Sequence, residues 1–182
     1  MPNWCINKLN IVAPSKGKMA EVAEAIRSDE EPLSFEKISP MPESLKGTTS
    51  PSRNGSDVSV ADSMTRITGV INGTVKDYND WYEFNLGEWG TKWDVKAVMV
   101  ESGTPDNQMT MEFQTAWSPP NKILEKLMDR FPDVDFELYY LEPGMEFAGV
   151  HDREGDSCYS GGEDYKKISR EQFGYDFECE ED

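Results

Sequence analysis

Histidine is the residue type that this sequence most nearly lacks, with one copy, His151, among 182 residues. Sites for general acid–base and nucleophilic catalysis most often use histidine to carry the proton. A Ser-His-Asp or Cys-His site therefore has only His151 to use, and this residue follows a predicted strand. A lone histidine is more often structural or solvated than catalytic. The sequence thus predicts a protein that is not an enzyme.

Cysteine is also scarce, since Cys5, Cys158 and Cys179 are the three copies in the chain. Their number is odd, and their spacing matches no zinc or redox motif. The sequence also contains neither G-x-x-x-x-G-K-[ST] nor G-x-G-x-x-G, the motifs in which glycines let the backbone approach a phosphate. We therefore expect neither a bound metal nor a cofactor, while the 35 Asp and Glu side chains leave a paired-carboxylate site or a divalent ion as an open alternative.

Basic side chains are few, because 18 Lys and Arg stand against 35 Asp and Glu, and the net charge is −17. Binding to a nucleic-acid backbone needs clustered basic residues, so we do not expect this class of partner. The same charge suits a soluble protein, a partner with a basic surface, or imitation of a nucleic acid. The chain also lacks an apolar run of ~20 residues and a signal peptide at its start. These absences predict a cytoplasmic protein without a membrane span.

Aromatic residues, in contrast, are concentrated in one stretch, Trp81–Asp94, which reads W-Y-E-F-N-L-G-E-W-G-T-K-W-D and holds three of the five tryptophans. A second stretch, Phe113–Pro120, reads F-Q-T-A-W-S-P-P and contains Trp117. Tryptophan and tyrosine combine a large apolar area with one polar group, so such segments form either core anchors or the wall of a binding site. The sequence leaves both alternatives open.

Apolar periodicity predicts the regular elements, because alternation indicates strands and spacings of three and four indicate helices. The predicted strands are 5–12, 97–101, 108–116 and 134–141, and the predicted helices are 16–28 and 119–130. Ser118 is predicted to cap the second helix, with a proline in its first turn. Trp117 is assigned to the same strand face as Phe113, so part of its ring is expected to be buried.

A long segment at about 29–95 separates the first helix from the second strand, and periodicity describes it poorly. Residues 33–38 suggest a short strand, and a short helix is expected within 74–86. Residues 46–63 are rich in Gly, Ser, Thr and Pro and are predicted to be the least ordered internal segment. The strand that follows the insertion, near 97–100, is expected to be buried.

Without this insertion the order of elements is βαββαβ, which predicts an α+β, ferredoxin-like protein: an antiparallel sheet with two helices on one face. The predicted ferredoxin-like domain covers 1–150. Residues 151–182 form an acidic C-terminal extension with eleven acidic and four basic side chains. Because this extension also contains aromatic residues, part of it is expected to pack on the domain.

Five motifs in this order carry a family resemblance: M-P-N-W-C-I-N-K-L-N-I, P-M-P near residue 40, W-G-T-K-W-D, F-Q-T-A-W-S-P-P and Y-Y-L-E-P-G-M-E-F-A-G. Together they resemble the YubB-like family of ferredoxin-like proteins from phages, prophages and plasmids. The resemblance spans roughly 1–150 and leaves out the acidic extension. It implies the ferredoxin-like fold, a mobile-element origin and a bacterial host. Members of that family are largely of unknown function, so the resemblance supplies no catalytic residues.

One functional hypothesis is that the aromatic stretches bind a small, for example cyclic, nucleotide and hold it without turning it over. Such a protein would sequester a signal of host defence, as a counter-defence factor of a mobile element does. Tryptophans would stack on the base, cations would contact phosphate, and hydroxyl or amide groups would contact sugar and base edges. The candidate ligand-binding residues are Trp81, Trp89, Thr91, Lys92, Trp93, Thr115, Trp117, Ser118, Asn7, Arg53 and Arg66.

The alternative hypothesis is an acidic inhibitor, possibly one that imitates nucleic acid, which blocks the basic site of a host defence protein. The local chemistry of Lys92 also allows a structural interpretation, in which Asp94 neutralises the lysine and the group holds a loop. Self-association into a homo-oligomer is compatible with the sequence under either hypothesis.

Overall fold

The structure is a computed structural model of the chain, and it describes residues 3–50, 67–71, 74–95, 98–103 and 106–175. The strands in these ranges are β1 (Trp4–Val12), β2 (Ile67–Ile71), β3 (Thr74–Tyr78), β4 (Met99–Ser102), β5 (Gln108–Ala116), β6 (Asp135–Glu142), β7 (Phe147–Asp152) and β8 (Gly155–Ser160). The helices are α1 (Lys16–Ile26), α2 (Phe35–Ile38), α3 (Trp81–Glu88), α4 (Asn121–Arg130) and α5 (Gly162–Phe173). Residues 51–63, most of the segment predicted to be least ordered, lie outside the described residues.

Six strands form one antiparallel sheet in the order β4-β5-β1-β6-β7-β8. Leu9 at the centre of β1 pairs with Met111 on one side and with Leu138 on the other. In the chain, β1 is followed by α1, the insertion and then β4. In the sheet, β5 lies between β1 and β4. This is the split arrangement of a ferredoxin-like fold, and the predicted α+β class is confirmed. The strands β2 and β3 form a separate hairpin, which periodicity did not reveal.

The helices α1 and α4 pack on the same face of the sheet, as predicted. Leu9 and Ile11 alternate with exposed or half-buried residues along β1, and they join one core cluster with both helices. The helix residues buried in that cluster are Met19, Val22, Ile26, Ile123, Leu124 and Leu127. Each helix thus places one apolar stripe against the alternating apolar side chains of the strands.

Two local predictions on this face are wrong. Residues 35–38 form a helical turn rather than a strand, because the Ser34 side chain and the carboxylate of Asp94 cap its first amides. Ser118 does not cap α4; its hydroxyl donates to the Gly90 carbonyl at 2.6 Å, and Pro120 occupies the cap position without a side-chain bond. In both cases a contact between distant residues overrides the local pattern.

The strand β4 differs from the prediction in being exposed rather than buried. It lies at the edge of the sheet, where Met99 and Val100 are 64% and 40% exposed. A short apolar run cannot by itself distinguish an edge strand from a central one, because the pairing partners are set by the whole sheet.

The acidic extension takes part in the same sheet. Residues 155–160 form β8, and α5 packs on the face of the sheet opposite to α1 and α4. Tyr165 of α5 contacts Leu141 and Ala148 there. Packing of part of the extension is confirmed, but helices occur on both faces of the sheet because of α5. The boundary placed at residue 150 falls inside β7.

A glycine in β7 leaves room for the side chain of a buried tyrosine of β6 to lie over β7 and reach β8. Replacement of this glycine tests the packing. The Tyr140 ring passes over Gly149, and its hydroxyl donates to the Asp156 carboxylate at 2.6 Å. A Cβ atom on Gly149 would overlap with the Tyr140 hydroxyl and with the Ser157 carbonyl. We expect Gly149→Ala to lower the free energy of unfolding by about 1–3 kcal/mol, measured by chemical denaturation.

Gly17→Ala is the matched control, since the nearest atom to its Cβ is the Ser15 hydroxyl oxygen at 3.9 Å. In the helix α1 this replacement should be neutral or stabilising by up to about 1 kcal/mol. Equal losses from the two variants would contradict the packing at Gly149.

Candidate functional site

The C-terminal end of β5 is joined to the loop 89–95 by hydroxyl groups. The Thr91 hydroxyl donates to the Ala116 carbonyl at 2.9 Å, and the Ser118 hydroxyl donates to the Gly90 carbonyl. Thr115 donates to the Ser118 carbonyl at 2.7 Å and accepts from the Asn7 amide at 2.9 Å. The two aromatic stretches of the sequence are therefore brought together at one corner of the sheet.

Gly90 is required for this junction. Its φ is 83°, in the left-handed region that favours glycine, and its Cβ would come within 3.2 Å of the Asn121 backbone nitrogen at the start of α4. A side chain here would press on the helix and move the loop away from β5.

The loop ends on Asp94, whose carboxylate is turned toward α2. It accepts hydrogen bonds from the Ser34 hydroxyl at 2.9 Å and from the backbone amides of Phe35 and Glu36 at 2.6 and 3.1 Å. The amide of Val95 also donates to it, at 2.8 Å. This carboxylate holds a helix start in place, which differs from the structural interpretation in which it neutralises Lys92.

Beside this junction lies a cavity of about 530 Å³, within the size range of ligand sites. Its lining residues are Trp4, Trp93, Asp94, Gln114, Thr115 and Ala116. Trp4 and Trp93 are 45% and 39% exposed, and their ring centroids are 6.3 Å apart with the planes tilted by 42°. We call these two rings and the cavity between strand and loop the Trp4–Trp93 cleft.

A cation lies against one wall of the cleft. The Lys92 ammonium is 4.5 Å from the centroid of the Trp93 ring and 5.7 Å from that of Tyr82. At these distances the ring quadrupoles attract the ammonium, by about 0.5–2 kcal/mol. The lining of the cleft therefore combines two aromatic rings with the polar side chains of Gln114 and Thr115 and the carboxylate of Asp94. The Lys92 ammonium lies on the Trp93 ring and is not itself part of the lining.

The other candidate residues are distributed differently. Trp89 is buried in the core, where its indole donates to the Ser39 carbonyl at 2.9 Å and its ring packs on Phe35 and Phe84. Asn7 is fully buried and donates to the Cys5 carbonyl and to Thr115. Both side chains thus support the sheet rather than face the cavity.

Trp81 and Trp117 lie near this corner but do not line the cavity. Trp81 is half-buried at the start of α3, and its ring packs on Tyr82. Trp117 has left the strand: its φ is 73°, its amide donates to the Asn3 carbonyl at 3.0 Å, and its side chain is 46% exposed. The prediction that Trp117 shares the buried face of Phe113 is wrong, because β5 ends at Ala116. Arg53 and Arg66 lie outside the described residues.

Sequence reasoning missed two side chains of the cleft, Gln114 and the tryptophan Trp4. Side chains alternate between the two faces of the sheet along β1, and Cys5 and Asn7 point to the face that carries the core. Trp4 therefore lies on the opposite face. It pairs with Ala116, so its partner residue lies in the second aromatic stretch. The alternation along β1 indicates an outward tryptophan, but only the strand register brings it beside Trp93.

The sequence predicts neither a membrane span nor a metal site, and the described residues can be examined for both. None of the helices in the described ranges is long and apolar enough to cross a membrane. Among those same residues, no group of three His, Cys, Asp or Glu side chains is placed to hold a metal ion. His151 itself is buried in β7.

The sheet order and the helix layer define a ferredoxin-like protein, extended by the hairpin of β7 and β8 and by α5. A family model described as the ferredoxin-like domain in Api92-like protein matches residues 88–181, and the chain belongs to this family. The matched range includes the acidic extension, which the resemblance found in the sequence left out.

One solved structure is similar, the crystal structure of a protein api92 from Yersinia pseudotuberculosis. The two chains are 12% identical, the alignment covers 90% of this chain and 100% of that chain, and the TM-score is 0.45. No curated protein matches the sequence.

Proposed function

We propose that this protein binds a small nucleotide in the Trp4–Trp93 cleft and holds it without chemical change. The observation that carries the proposal is the Lys92 ammonium 4.5 Å from the ring of a half-exposed tryptophan that lines a cavity of about 530 Å³. A nucleotide offers the two features that complement this arrangement, an aromatic base and an anionic phosphate.

The distance between the two rings determines how a base would bind. Centroids 6.3 Å apart place Trp4 and Trp93 in direct contact, within the range of about 4.5–7 Å for aromatic pairs. A base would therefore stack on the free side of one indole rather than between the two. The phosphate would then lie toward Lys92, and the exposed amide of Gln114 would contact an edge of the base.

The biological setting is part of the same proposal. A protein of a phage or another mobile element, located in the cytoplasm of a bacterial host, would use such a site to sequester a nucleotide signal of host defence. Binding without turnover suits a chain whose only histidine is buried. The net charge of −17 disfavours a highly charged ligand, so a cyclic or singly phosphorylated nucleotide fits better than a triphosphate.

Titration calorimetry and thermal shift with cyclic and linear nucleotides test this proposal. A ligand that binds the folded state should raise the melting temperature as its concentration rises. We expect Lys92→Ala to weaken nucleotide binding about tenfold or more through loss of a charge-assisted contact. Trp93→Ala should weaken nucleotide binding at least as much.

Two matched variants control for general effects of these replacements. Lys122→Ala removes a lysine of α4 that pairs with Glu125, and Trp117→Ala removes a half-exposed tryptophan outside the cavity lining. Both should leave nucleotide affinity within about twofold of the wild type. Equal losses in all four variants, or no nucleotide that binds, would contradict the proposal.

A second candidate function, an acidic inhibitor of a basic host protein, is favoured by the exposed apolar groups at this end of the sheet. Trp4, Trp93 and Trp117 are each about two-fifths exposed or more, and Met145 in the turn between β6 and β7 is 62% exposed. Tryptophans of this kind are frequent anchors of protein interfaces. In this case Trp117→Ala would weaken binding to the protein partner, and salt would weaken it further.

A further inference from the structure

Within the part of the chain that the structure describes, the strand β8 forms an open edge of the six-stranded sheet. It is the last strand in the sheet order, and all six of its residues, Gly155–Ser160, are exposed. Gly161 follows with a φ of 62° and turns the chain back, so that α5 packs over β6, β7 and β8 rather than beyond the edge. Strand edges of this kind pair readily with another strand.

The backbone groups that point out of this edge follow from one hydrogen bond. The Gly161 amide donates to the Glu146 carbonyl at 2.8 Å, in line with the register of β7 and β8. Hydrogen-bonded and non-hydrogen-bonded pairs alternate in an antiparallel ladder. Residues 155, 157 and 159 therefore bond to β7, and the amides and carbonyls of 156, 158 and 160 point outward.

The side chains of β8 do little to prevent pairing. Edge strands of monomeric proteins are usually protected by charged side chains, above all lysine, by proline or by a bulge. The sequence G-D-S-C-Y-S has neither lysine nor proline, and it has a single charged residue. This residue, Asp156, is exposed, but its carboxylate is already bound by two side chains of its own chain. The Asp156 carboxylate accepts from the Tyr140 hydroxyl at 2.6 Å and from the Asn121 amide at 2.8 Å.

We propose that β8 is a homodimer interface, at which a second copy of this chain adds its own β8 antiparallel and extends the sheet across a two-fold axis. A second copy of the chain fits this edge because the outward amides and carbonyls of residues 156, 158 and 160 complement the same groups of an antiparallel copy. Two antiparallel copies can pair all three outward residues only when Cys158 faces Cys158 of the second copy. Asp156 then faces Ser160 of the second copy, on both sides of the axis.

This register also avoids a clash of charge at the edge. The Asp156 carboxylates of the two copies are separated by four residues along the strand, about 13 Å. Each lies opposite a serine hydroxyl, which can donate to it. Because each copy carries a net charge of −17, long-range repulsion opposes the dimer, and added salt should strengthen the association.

Sedimentation equilibrium of the full chain and of two variants at one position tests the interface and its register. Ser160→Asp places a carboxylate opposite Asp156 of the second copy and should weaken dimerisation about tenfold, because two like-charged pairs are created. Ser160→Lys places an ammonium there and should strengthen it by a similar factor. Opposite shifts at an exposed position cannot result from unfolding, which circular dichroism checks independently.

Cross-linking of Cys158 provides a second measurement. Facing residues of a hydrogen-bonded pair have Cα atoms about 5.5 Å apart, so a short bis-maleimide should join the two Cys158 thiols. The Cys179→Ser variant leaves Cys158 as the exposed thiol, because Cys5 is buried and burial, with the charge of Glu142, raises the pKa of its thiol. Ser160→Asp should suppress the cross-link and Ser160→Lys should increase it.

Several results would overturn the dimer. These are a monomer at every concentration up to about 1 mM, the same shift from both variants at residue 160, or a dimer that forms no Cys158 cross-link. None of these results depends on nucleotide binding, so the failure of one proposal is distinguishable from the failure of the other.

Discussion

Replacement of Lys126 by methionine is expected to lower the free energy of unfolding by about 3–5 kcal/mol. The Lys126 ammonium in α4 contacts the carboxylate of Glu88 in α3 at 2.6 Å, and the side chain of Glu88 is only 1% exposed. The same ammonium donates to the Ser39 hydroxyl at 3.0 Å. Methionine keeps most of the apolar stem, so the loss would come from a buried carboxylate deprived of this positive charge.

The second acceptor oxygen of Glu88 accepts from the Tyr78 hydroxyl. Burial and this hydrogen bond raise the pKa of Tyr78, so its phenol stays protonated and keeps donating. The group thus joins β3, α3, α4 and the segment after α2. Of these elements, α4 belongs to the ferredoxin-like core and the others belong to the insertion. Removal of the lysine should therefore loosen the insertion from the core.

Chemical denaturation measures this effect against two controls. Lys122→Met removes an exposed lysine of the same helix that pairs with Glu125, and it should cost less than about 1 kcal/mol. The double variant with Glu88→Gln and Lys126→Met removes both charges and should recover part of the loss. A loss below about 1 kcal/mol for Lys126→Met alone would contradict the role assigned to this ion pair.

Replacement of Asp94 by alanine is the second change with a large expected effect, a loss of about 2–4 kcal/mol. Its carboxylate accepts from the Ser34 hydroxyl and from the amides of Phe35 and Glu36, and Phe35 is fully buried. Alanine would leave these donors without their acceptor at the start of α2. The loop that carries Lys92 and Trp93 would lose its attachment at the same time.

Asp94→Asn is the informative control, since its amide keeps one acceptor oxygen and should lose about half as much stability. Thermal and chemical denaturation of both variants, with the wild type, measure the difference. If Asp94→Ala lost no more stability than Asp94→Asn, the cap on α2 would not be the role of this carboxylate. Nucleotide affinity should fall in both variants, because the position of Trp93 depends on the loop.

Much of the fold was predictable because its signals are local. Alternation along 5–12 and 108–116 and helical spacing along 16–28 reflect which side chains face the core, and the structure places strands and helices there. The errors occur where a distant partner decides the outcome. The turn at 35–38 is helical because of Asp94, and the strand after the insertion is exposed because it is an edge.

The candidate site was predictable in part. The spacing of Lys92 and Trp93 in the sequence indicates a cation beside an indole, and the structure places them 4.5 Å apart. Trp89 and Asn7 have the same chemical character as site residues, but their neighbours bury them. Trp4 is 89 residues away from Trp93 in sequence and reaches it only through the register of β1 with β5.

The sequence by itself determined the balance of charge, the scarcity of histidine and cysteine, and the order of the core elements, because these properties belong to composition and to periods of two and 3.6 residues. Only the tertiary structure decided which tryptophans face solvent, which carboxylates accept hydrogen bonds or pair with cations of the same chain, and which strand forms the open edge. The physical reason is that burial, hydrogen-bond partners and strand pairing depend on contacts between residues far apart in the chain.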